Sequence, residues 1–337
     1  MKVAVTGAAG YLGSNLLPLL TDRGHEVIAV DRAAPAGPAA DGVTWVSADV
    51  LNPDAVRAAI DGAELVYHLV AVITLADRND LAWRVNTRGV RVVAEAALAV
   101  GARRLVHASS IHAYDQYNCG GRIDERSGRS TDPGLPVYDR SKWAGEQELR
   151  AVIEQGLDAV LCNPTGVYGP ADHGTPLSRI NRTLRDAARG RIPAMIDGAF
   201  DLVDVRDVAQ GLILAGEHGR TGENYLLGGE MVRMPELCRA AARAGGTRGP
   251  RFTIPARPVE RAIPLLAPVG KLFKTDIVSK AALGALVSAP EVDHSRASTE
   301  LGHRPRPMTE TVRDLVRFFA DGTLPPRQAP ADTLDTA

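Results

Sequence analysis

Six short apolar runs recur through the first half of the chain, and helix-like stretches separate them. That alternation leaves little choice of fold. The runs are residues 2–6 (KVAVT), 26–31 (EVIAVD), 43–49 (VTWVSAD), 63–72 (AELVYHLVAV), 103–110 (RRLVHASS) and 157–164 (LDAVLCNP). Each is mostly β-branched or aliphatic, the composition of parallel strands covered on both faces. Helical patterns lie between them at 11–23, 53–60, 79–100 and 138–155. The alternation predicts an α/β fold with a doubly wound parallel sheet and right-handed crossovers.

After about residue 170 Gly and Pro become frequent and the rhythm breaks. Residues 200–205 and 223–228 again read as strands, and 206–219 between them as a helix ending at Gly219. These are expected to rejoin the sheet. The 337 residues suffice for two units sharing a cleft. The predicted division is a dinucleotide-binding domain, 1–172 plus 200–228, and a smaller, mainly helical substrate-binding domain, 173–199 plus 229–321. A last helix near 309–322 leads into a loose tail, 322–337. The stretch 255–290, rich in Pro, Leu and Ala, reads either as the wall of an apolar substrate pocket or as ordinary helix-packing surface.

Residues 6–13, TGAAGYLG, join the first run to the first helix. Gly7 can make the tight turn, Gly10 lets a pyrophosphate approach the backbone, and Gly13 lets helix and strand pack closely, as in Rossmann-type domains. The helix N-terminus adds free N–H groups and partial positive charge. The spacing is GxxGxxG rather than GxGxxG. Asp31 ends the second run, where a carboxylate accepts from the adenosine ribose hydroxyls and repels a 2′-phosphate. That favours NAD; Arg32 leaves NADP open, and a cap or turn role is the other reading of Asp31. Asp49 and Val50 end the third run, where the acid either accepts from the adenine amine or caps the helix starting near Pro53. Leu69, Val70 and Ala71 end the fourth and are expected beneath the cofactor. Ala9, Tyr11, Leu12, Ser109, Asn163, Pro164, Thr165 and Val167 complete the expected cofactor contacts.

Tyr138 and Lys142, in YDRSK, fall one turn apart on one helix face. A phenol titrates near about 10, and an ammonium one turn away favours the phenolate and lowers that value. Ser110 ends the fifth run, at the carboxyl end of a strand where open α/β sheets bind ligands. The expected chemistry follows from the residue types. Ser110 orients a substrate oxygen, and Tyr138 exchanges a proton with it as general acid/base. Lys142 holds the nicotinamide ribose and lowers the pKa of Tyr138, and the cofactor carries the hydride.

A formal net charge of −1 points to neither nucleic acid nor an anionic membrane, so a small-molecule substrate is the expected partner. Cys119, Cys162 and Cys238 are far apart and form no CxxC pair, so neither a disulfide scaffold nor a metal site is expected. Residues 2–6 already read as a strand, leaving no room for a signal peptide, and no apolar run approaches the ~20 residues of a membrane span. A cytoplasmic enzyme is the default.

With these residues on the page, the chain resembles the extended short-chain dehydrogenase/reductase family, of NAD-dependent epimerase/dehydratase type. TGAAGYLG, VNTRG (85–89), HASSIHAY (107–114), YDRSK (138–142) and NPTGVYGP (163–170) fall in that family's order and spacing. The resemblance runs from residue 1 to about 230, and more weakly to about 320. Its members include epimerases, dehydratases, reductases and dehydrogenases, so the departures inform most. Dehydratases usually follow the catalytic Ser/Thr with Asp-Glu; here Ile111 and His112 follow Ser110, which disfavours dehydration. Nucleotide-sugar enzymes commonly carry Arg-Asp-Phe where this chain has Phe200-Asp201-Leu202, and many have an arginine where Asn163 stands. Both changes remove positive charge from the place of an anionic handle. The Asn-Pro form, FDLVDVRDVA and GENYLLGG look more like the dihydroflavonol reductase-like branch, which generally reduces carbonyls of small or medium organic molecules. Its plant members usually prefer NADPH, against the reading of Asp31. Asn86 resembles the family's asparagine near nicotinamide and substrate, and equally suits a helix N-cap. Ile111, His112 and His173 are candidate substrate residues. The two histidines are either a second proton relay or bystanders.

Three functions are therefore expected in descending order: an NAD(P)-dependent oxidoreductase of a carbonyl/alcohol pair, an NAD-retaining epimerase of a sugar or sugar-like alcohol, and a non-catalytic dinucleotide-binding protein. A homodimer is also expected. Val85, Val92, Val93, Ala96, Ala97 and Val100 give the 79–100 helix more apolar surface than one side of a sheet needs. In similar family members this helix and the one carrying the tyrosine pair across a two-fold axis into a four-helix bundle.

Overall fold

The structure, a computed structural model, describes residues 1–34, 40–174, 176–256 and 289–324. The first half alternates as its sequence pattern dictates. Strand β1 (Lys2–Thr6) leads into α1 (Tyr11–Asp22), then β2 (Glu26–Asp31), β3 (Val43–Ser47), α2 (Pro53–Ala59) and β4 (Leu65–His68). Next come α3 (Asp80–Arg84), a π-helical turn (Val85–Gly89), α4 (Val90–Ala99) and β5 (Arg104–Ala108). A 3₁₀ turn (Ile111–Ala113), the short β6 (Arg122–Ile123), α5 (Val137–Ile153) and β7 (Ala159–Pro164) follow. Asn52 and Asn79 start α2 and α3 by accepting from Ala55 N and Ala82 N, each relieving a donor that the helix leaves free.

The second half adds β8 (Gly166–Tyr168), α6 (Arg179–Ala188), β9 (Ala194–Ile196), β10 (Ala199–Asp204), α7 (Val205–His218), β11 (Asn224–Leu227), β12 (Glu230–Arg233) and α8 (Met234–Ala244). It closes with β13 (Phe252–Ile254), β14 (Glu291–Val292), a π turn (Ala297–Leu301) and α9 (Met308–Asp321). Seven parallel strands form the main sheet in the order β11-β7-β5-β4-β1-β2-β3. The order reverses beside β1, and in such sheets the crevice at that point binds ligands. One core packs α1 and α7 on one face, around Leu16, Leu20, Val208 and Leu212. Another packs α2, α4 and α5 on the other, around Val56, Val93 and Leu149.

Two expectations change here. Residues 223–228 rejoin the main sheet as β11, but 200–205 do not. Strand β10 pairs instead with β8 and β12 in a separate three-stranded sheet. Its Leu202 packs over Gly166, where an added Cβ would crowd it. With Tyr168, Leu202 joins a third core under α6, α8 and α9. The apolar surplus of the 79–100 segment is also accounted for within the chain. Val85, Val92, Val93, Ala96 and Ala97 are buried in the second core, and Val100 packs against it. The outward side of this segment shows Leu81 and Trp83, and an Arg91–Glu95 pair at 2.7 Å. The proposed pocket wall at 255–290 lies almost wholly outside the described residues, as does the tail beyond 324. Among the described residues no helix is long and apolar enough to cross a membrane.

Candidate active site

Glycine is required at two points of the first loop. Gly7 has φ +78°, and a Cβ there would come within 3.0 Å of Val70 N. A Cβ on Gly13 would run into the Ala8 carbonyl. Gly10 stands exposed at the start of α1, which has no side-chain cap and no acid in its first turn. The opening N–H groups of α1 are thus uncovered, and a bare helix N-terminus of this kind accepts a phosphate. Asp31, partly exposed at the end of β2, accepts from Ala9 N at 3.1 Å and from Arg32 N at 2.7 Å. It therefore serves as a turn residue and still presents a carboxylate beside the loop. These features fit a dinucleotide, with the pyrophosphate over Gly10 and a ribose at Asp31. Leu69, Val70 and Ala71 follow β4 and are partly buried beside Gly7. Asp49 is exposed and accepts from Leu51 N; it does not cap α2, since Asn52 does. Val50 is buried against Gly89.

Helix α5 carries the second half of the site. Tyr138, Lys142 and Glu146 are spaced by one turn each, so all three lie on one face. Tyr138 is 8% exposed and faces Ser110, the capping residue of the 3₁₀ turn that follows β5. Lys142 is 2% exposed, and its Nζ donates to Ala108 O at 3.0 Å. The structure thus brings Ser110, Tyr138 and Lys142 to one place. Their electrostatics differ from the expectation. Burial pushes the Tyr138 phenol up to about 12, opposed in part by the Ser110 hydroxyl. Burial also pulls Lys142 down to about 8, opposed by Glu146. Desolvation sets the direction at Tyr138, with the Asp139 charge adding to it, while the Lys142 ammonium is turned to the Ala108 carbonyl. With protein groups alone, Tyr138 is a held proton.

Several predicted residues do other work. Asn163 is fully buried: Nδ2 donates to Ser110 O at 2.9 Å and Glu146 Oε1 at 2.7 Å, and Oδ1 accepts from Asn224. It braces the loop that carries Ser110. Asn86 caps no helix; it sits inside the π turn, its amide bonded to both backbone groups of Val72 and to Ser141. The Ser109 hydroxyl is taken up by Glu146 at 2.6 Å. Ile111 is buried among Ala113, Tyr114, Ile123 and Leu226. His173 is exposed and edges onto Phe318, 5.5 Å between ring centres. Tyr11 donates to Gly169 O at 2.7 Å and ties the glycine loop to the segment after β8. Pro164, Thr165 and Val167 line the passage from β7 to β8, with Leu12 and Val167 packed against the first core.

Glu146 escaped notice in the sequence, although it repeats the four-residue step from Tyr138 to Lys142. It is fully buried and also accepts from Asn224 at 3.0 Å and Arg129 at 3.4 Å. Asp139 escaped as well; it holds His112 Nδ1 at 2.7 Å. No cluster of His, Cys, Asp and Glu among the described residues could hold a metal.

A sequence model of the NAD dependent epimerase/dehydratase family matches residues 3–228. The chain is 32% identical over 328 residues to sterol demethylase protein B of Methylococcus capsulatus, covering 95% of this chain and 99% of that one. It is 31% identical over 332 residues to a dihydroflavonol 4-reductase-like protein of Synechocystis, covering 94% and 93%. The crystal structure of gox2253 superposes with a TM-score of 0.81 at 27% identity, covering 95% of this chain and 98% of that one.

Proposed function

The chain belongs to the NAD dependent epimerase/dehydratase family, and from that premise we propose that it is an NAD(P)-dependent oxidoreductase acting on a ring carbonyl/alcohol pair of an uncharged, largely hydrocarbon substrate. The observation that carries the reading is Tyr138, a buried phenol facing Ser110 with Lys142 one turn away. Bound NAD supplies the hydride acceptor or donor. Ser110 donates to the substrate oxygen and fixes its position. Tyr138, protonated at neutral pH, gives its proton to that oxygen during reduction and takes one during oxidation. Lys142, at about 8, keeps its charge at pH 7 and binds the ribose hydroxyls.

The substrate class rests on two supports. Phe200, Asp201 and Leu202 offer no cation, and Asn163 is spent on Ser110, Glu146 and Asn224. The similar proteins carry sterol and dihydroflavonol names, both uncharged polycyclic molecules. Asp31 favours NAD over NADP. The second reading, an NAD-retaining sugar epimerase, has the family name in its favour.

The test is a panel on purified protein: a 3β-hydroxysterol with NAD⁺, a dihydroflavonol with NADH or NADPH, and UDP-glucose. Reversible absorbance change with the sterol or the flavonol is expected. Turnover of UDP-glucose alone, with NAD that resists dialysis, would replace this reading by the epimerase.

In this reading the units bearing the main sheet and the α6–α8–α9 core are the cofactor and substrate domains, and the enzyme is a cytoplasmic homodimer. Its contact would lie on the outer sides of α3, α4 and α5, where Leu81, Trp83 and the Arg91–Glu148 pair are found. A monomer by light scattering at micromolar concentration would exclude the dimer.

A further inference from the structure

The chain as a whole is close to neutral, with a formal net charge of −1. One end of the α6–α8–α9 unit is not. The C-termini of α6 and α8 meet there. Thr247 Oγ1 donates to Ala188 O at 3.1 Å, a Cβ on Gly245 would run into that same carbonyl, and Arg251 N donates to Pro193 O at 2.9 Å. The loops leaving the two helices carry Arg189, Arg191, Arg248 and Arg251, and Arg243 stands in the last turn of α8. All five are exposed, and among the described residues none of their guanidinium groups has a hydrogen bond or an ion pair. The carboxylates of the same segments are already taken, Asp186 by Arg185 at 3.3 Å and Asp197 by Arg233 at 2.7 Å. Cations at a helix C-terminus ordinarily serve its free carbonyls. Here Thr247 and backbone N–H groups take those carbonyls instead. The five charges face water.

An apolar pair lies beside them. Side chains alternate along β13, so Thr253 turns toward α8, where Arg239 Nη2 donates to its hydroxyl at 2.9 Å, and Phe252 and Ile254 share the opposite face. Phe252 is 68% exposed and Ile254 40%. Their register partners on β9 are Ala194 and Ile196, so this face of the ribbon is apolar. Free cations around exposed aromatic and aliphatic side chains suit a bilayer interface: the cations meet anionic headgroups and the apolar side chains enter the acyl boundary. A nucleic acid would use the cations through its phosphates and leave Ile254 without a role.

We propose that this end of the α6–α8–α9 unit docks on the surface of an anionic lipid bilayer. The contact is peripheral. The arginines lie against phospholipid headgroups, and Phe252 and Ile254 insert between them. Docking brings the unit proposed to hold the substrate against a phase in which an uncharged, largely hydrocarbon molecule dissolves. The inference goes beyond the oxidoreductase reading and does not depend on it.

The experiment is vesicle sedimentation of the full chain, without substrate, on phosphatidylcholine alone and on phosphatidylcholine with about one-third phosphatidylserine. Wild type is expected to pellet with the anionic vesicles, to stay in solution with the neutral ones, and to be released as salt rises. Each arginine at such a surface is worth about fivefold in partitioning. Arg189→Gln, Arg191→Gln, Arg243→Gln, Arg248→Gln and Arg251→Gln combined should therefore weaken binding about a hundredfold or more. Phe252→Ser with Ile254→Ser should weaken it about tenfold. Both variants are compared at wild-type circular dichroism. Wild type that does not pellet with anionic vesicles overturns the proposal, with no variant needing to fold. Equal binding to neutral vesicles also overturns it, as does an unchanged partition in either variant. A duplex DNA oligonucleotide bound as tightly as the anionic vesicles would replace the lipid by a nucleic acid. Hydride transfer is read in a separate assay, so failure of either reading leaves the other standing.

Discussion

Two sets of buried polar side chains lie next to one another beneath α5, and they are built in opposite ways. Around Glu146 the donors converge: Ser109 at 2.6 Å, Asn163 at 2.7 Å, Asn224 at 3.0 Å and Arg129 at 3.4 Å. On β4 and β5, His68 and His107 stack with ring centres 5.2 Å apart. There His68 Nε2 and both nitrogens of His107 have no partner among the described residues. The first set ties the loop after β5 to β7 and β11, and so holds Ser110 in place. The second stays neutral at a desolvation cost. Burial, with the Lys142 charge adding to it, pulls His68 to about 3 and His107 well below its usual value. Satisfied polar groups specify geometry, whereas unsatisfied ones subtract stability.

The largest effect that would sharpen this contrast is at Glu146. Glu146→Ala removes the acceptor shared by Arg129 and three amide or hydroxyl donors, and should cost ~3–5 kcal/mol in urea unfolding. Stability equal to wild type would break the comparison. Lys142→Met should act in the opposite sense and stabilise the cofactor-free protein by ~1–3 kcal/mol while abolishing hydride transfer, because a buried ammonium is removed. The sign with pH follows from the same residue. The folded value of about 8 lies below the usual 10.5, so the unfolded chain binds more protons between them. Wild-type stability therefore gains a rising contribution across that window, and Lys142→Met lacks it. Tyr138 opposes this above pH 10, since its folded value of about 12 is raised.

His107→Leu should be stabilising by ~1 kcal/mol, since it removes two orphaned nitrogens at similar volume. A loss of more than that would mean the pair has a partner role. The smallest effect is in mild acid. His68 is lowered from 6.5 to about 3, so its contribution is lost as pH falls through that range. Between pH 7 and 6 the loss is below about 1 kcal/mol, and His68→Phe should flatten it.

How much of this was legible in the sequence depended on whether the signal was local. The glycine loop, the strand ends and the Tyr138–Lys142 step are patterns of neighbouring residues, and the fold follows from them. Strand β10 was misassigned because pairing with β8 and β12 is a tertiary choice that its six residues do not encode. The valines of α4 looked surplus because the second core they fill is built from elements far apart in sequence, β1, β2, α2, β4, β5, α5 and β7. The internal partners of Asn163 and Asn86 were not legible because sequence gives residue type and not direction. Asp139 was hidden by its ordinary first-turn position. The Tyr138 shift runs opposite to the expectation because it is set by burial, which composition does not report, and not by the neighbouring lysine that spacing does.

The central claim is that Tyr138 passes the proton that accompanies hydride transfer. The most direct measurement is single-turnover hydride transfer, followed by absorbance, in wild type and Tyr138→Phe loaded with NAD and a 3β-hydroxysterol, at matched circular dichroism. A loss of about 10²–10⁴-fold is predicted for the variant. Equal rates in the two proteins would contradict the account.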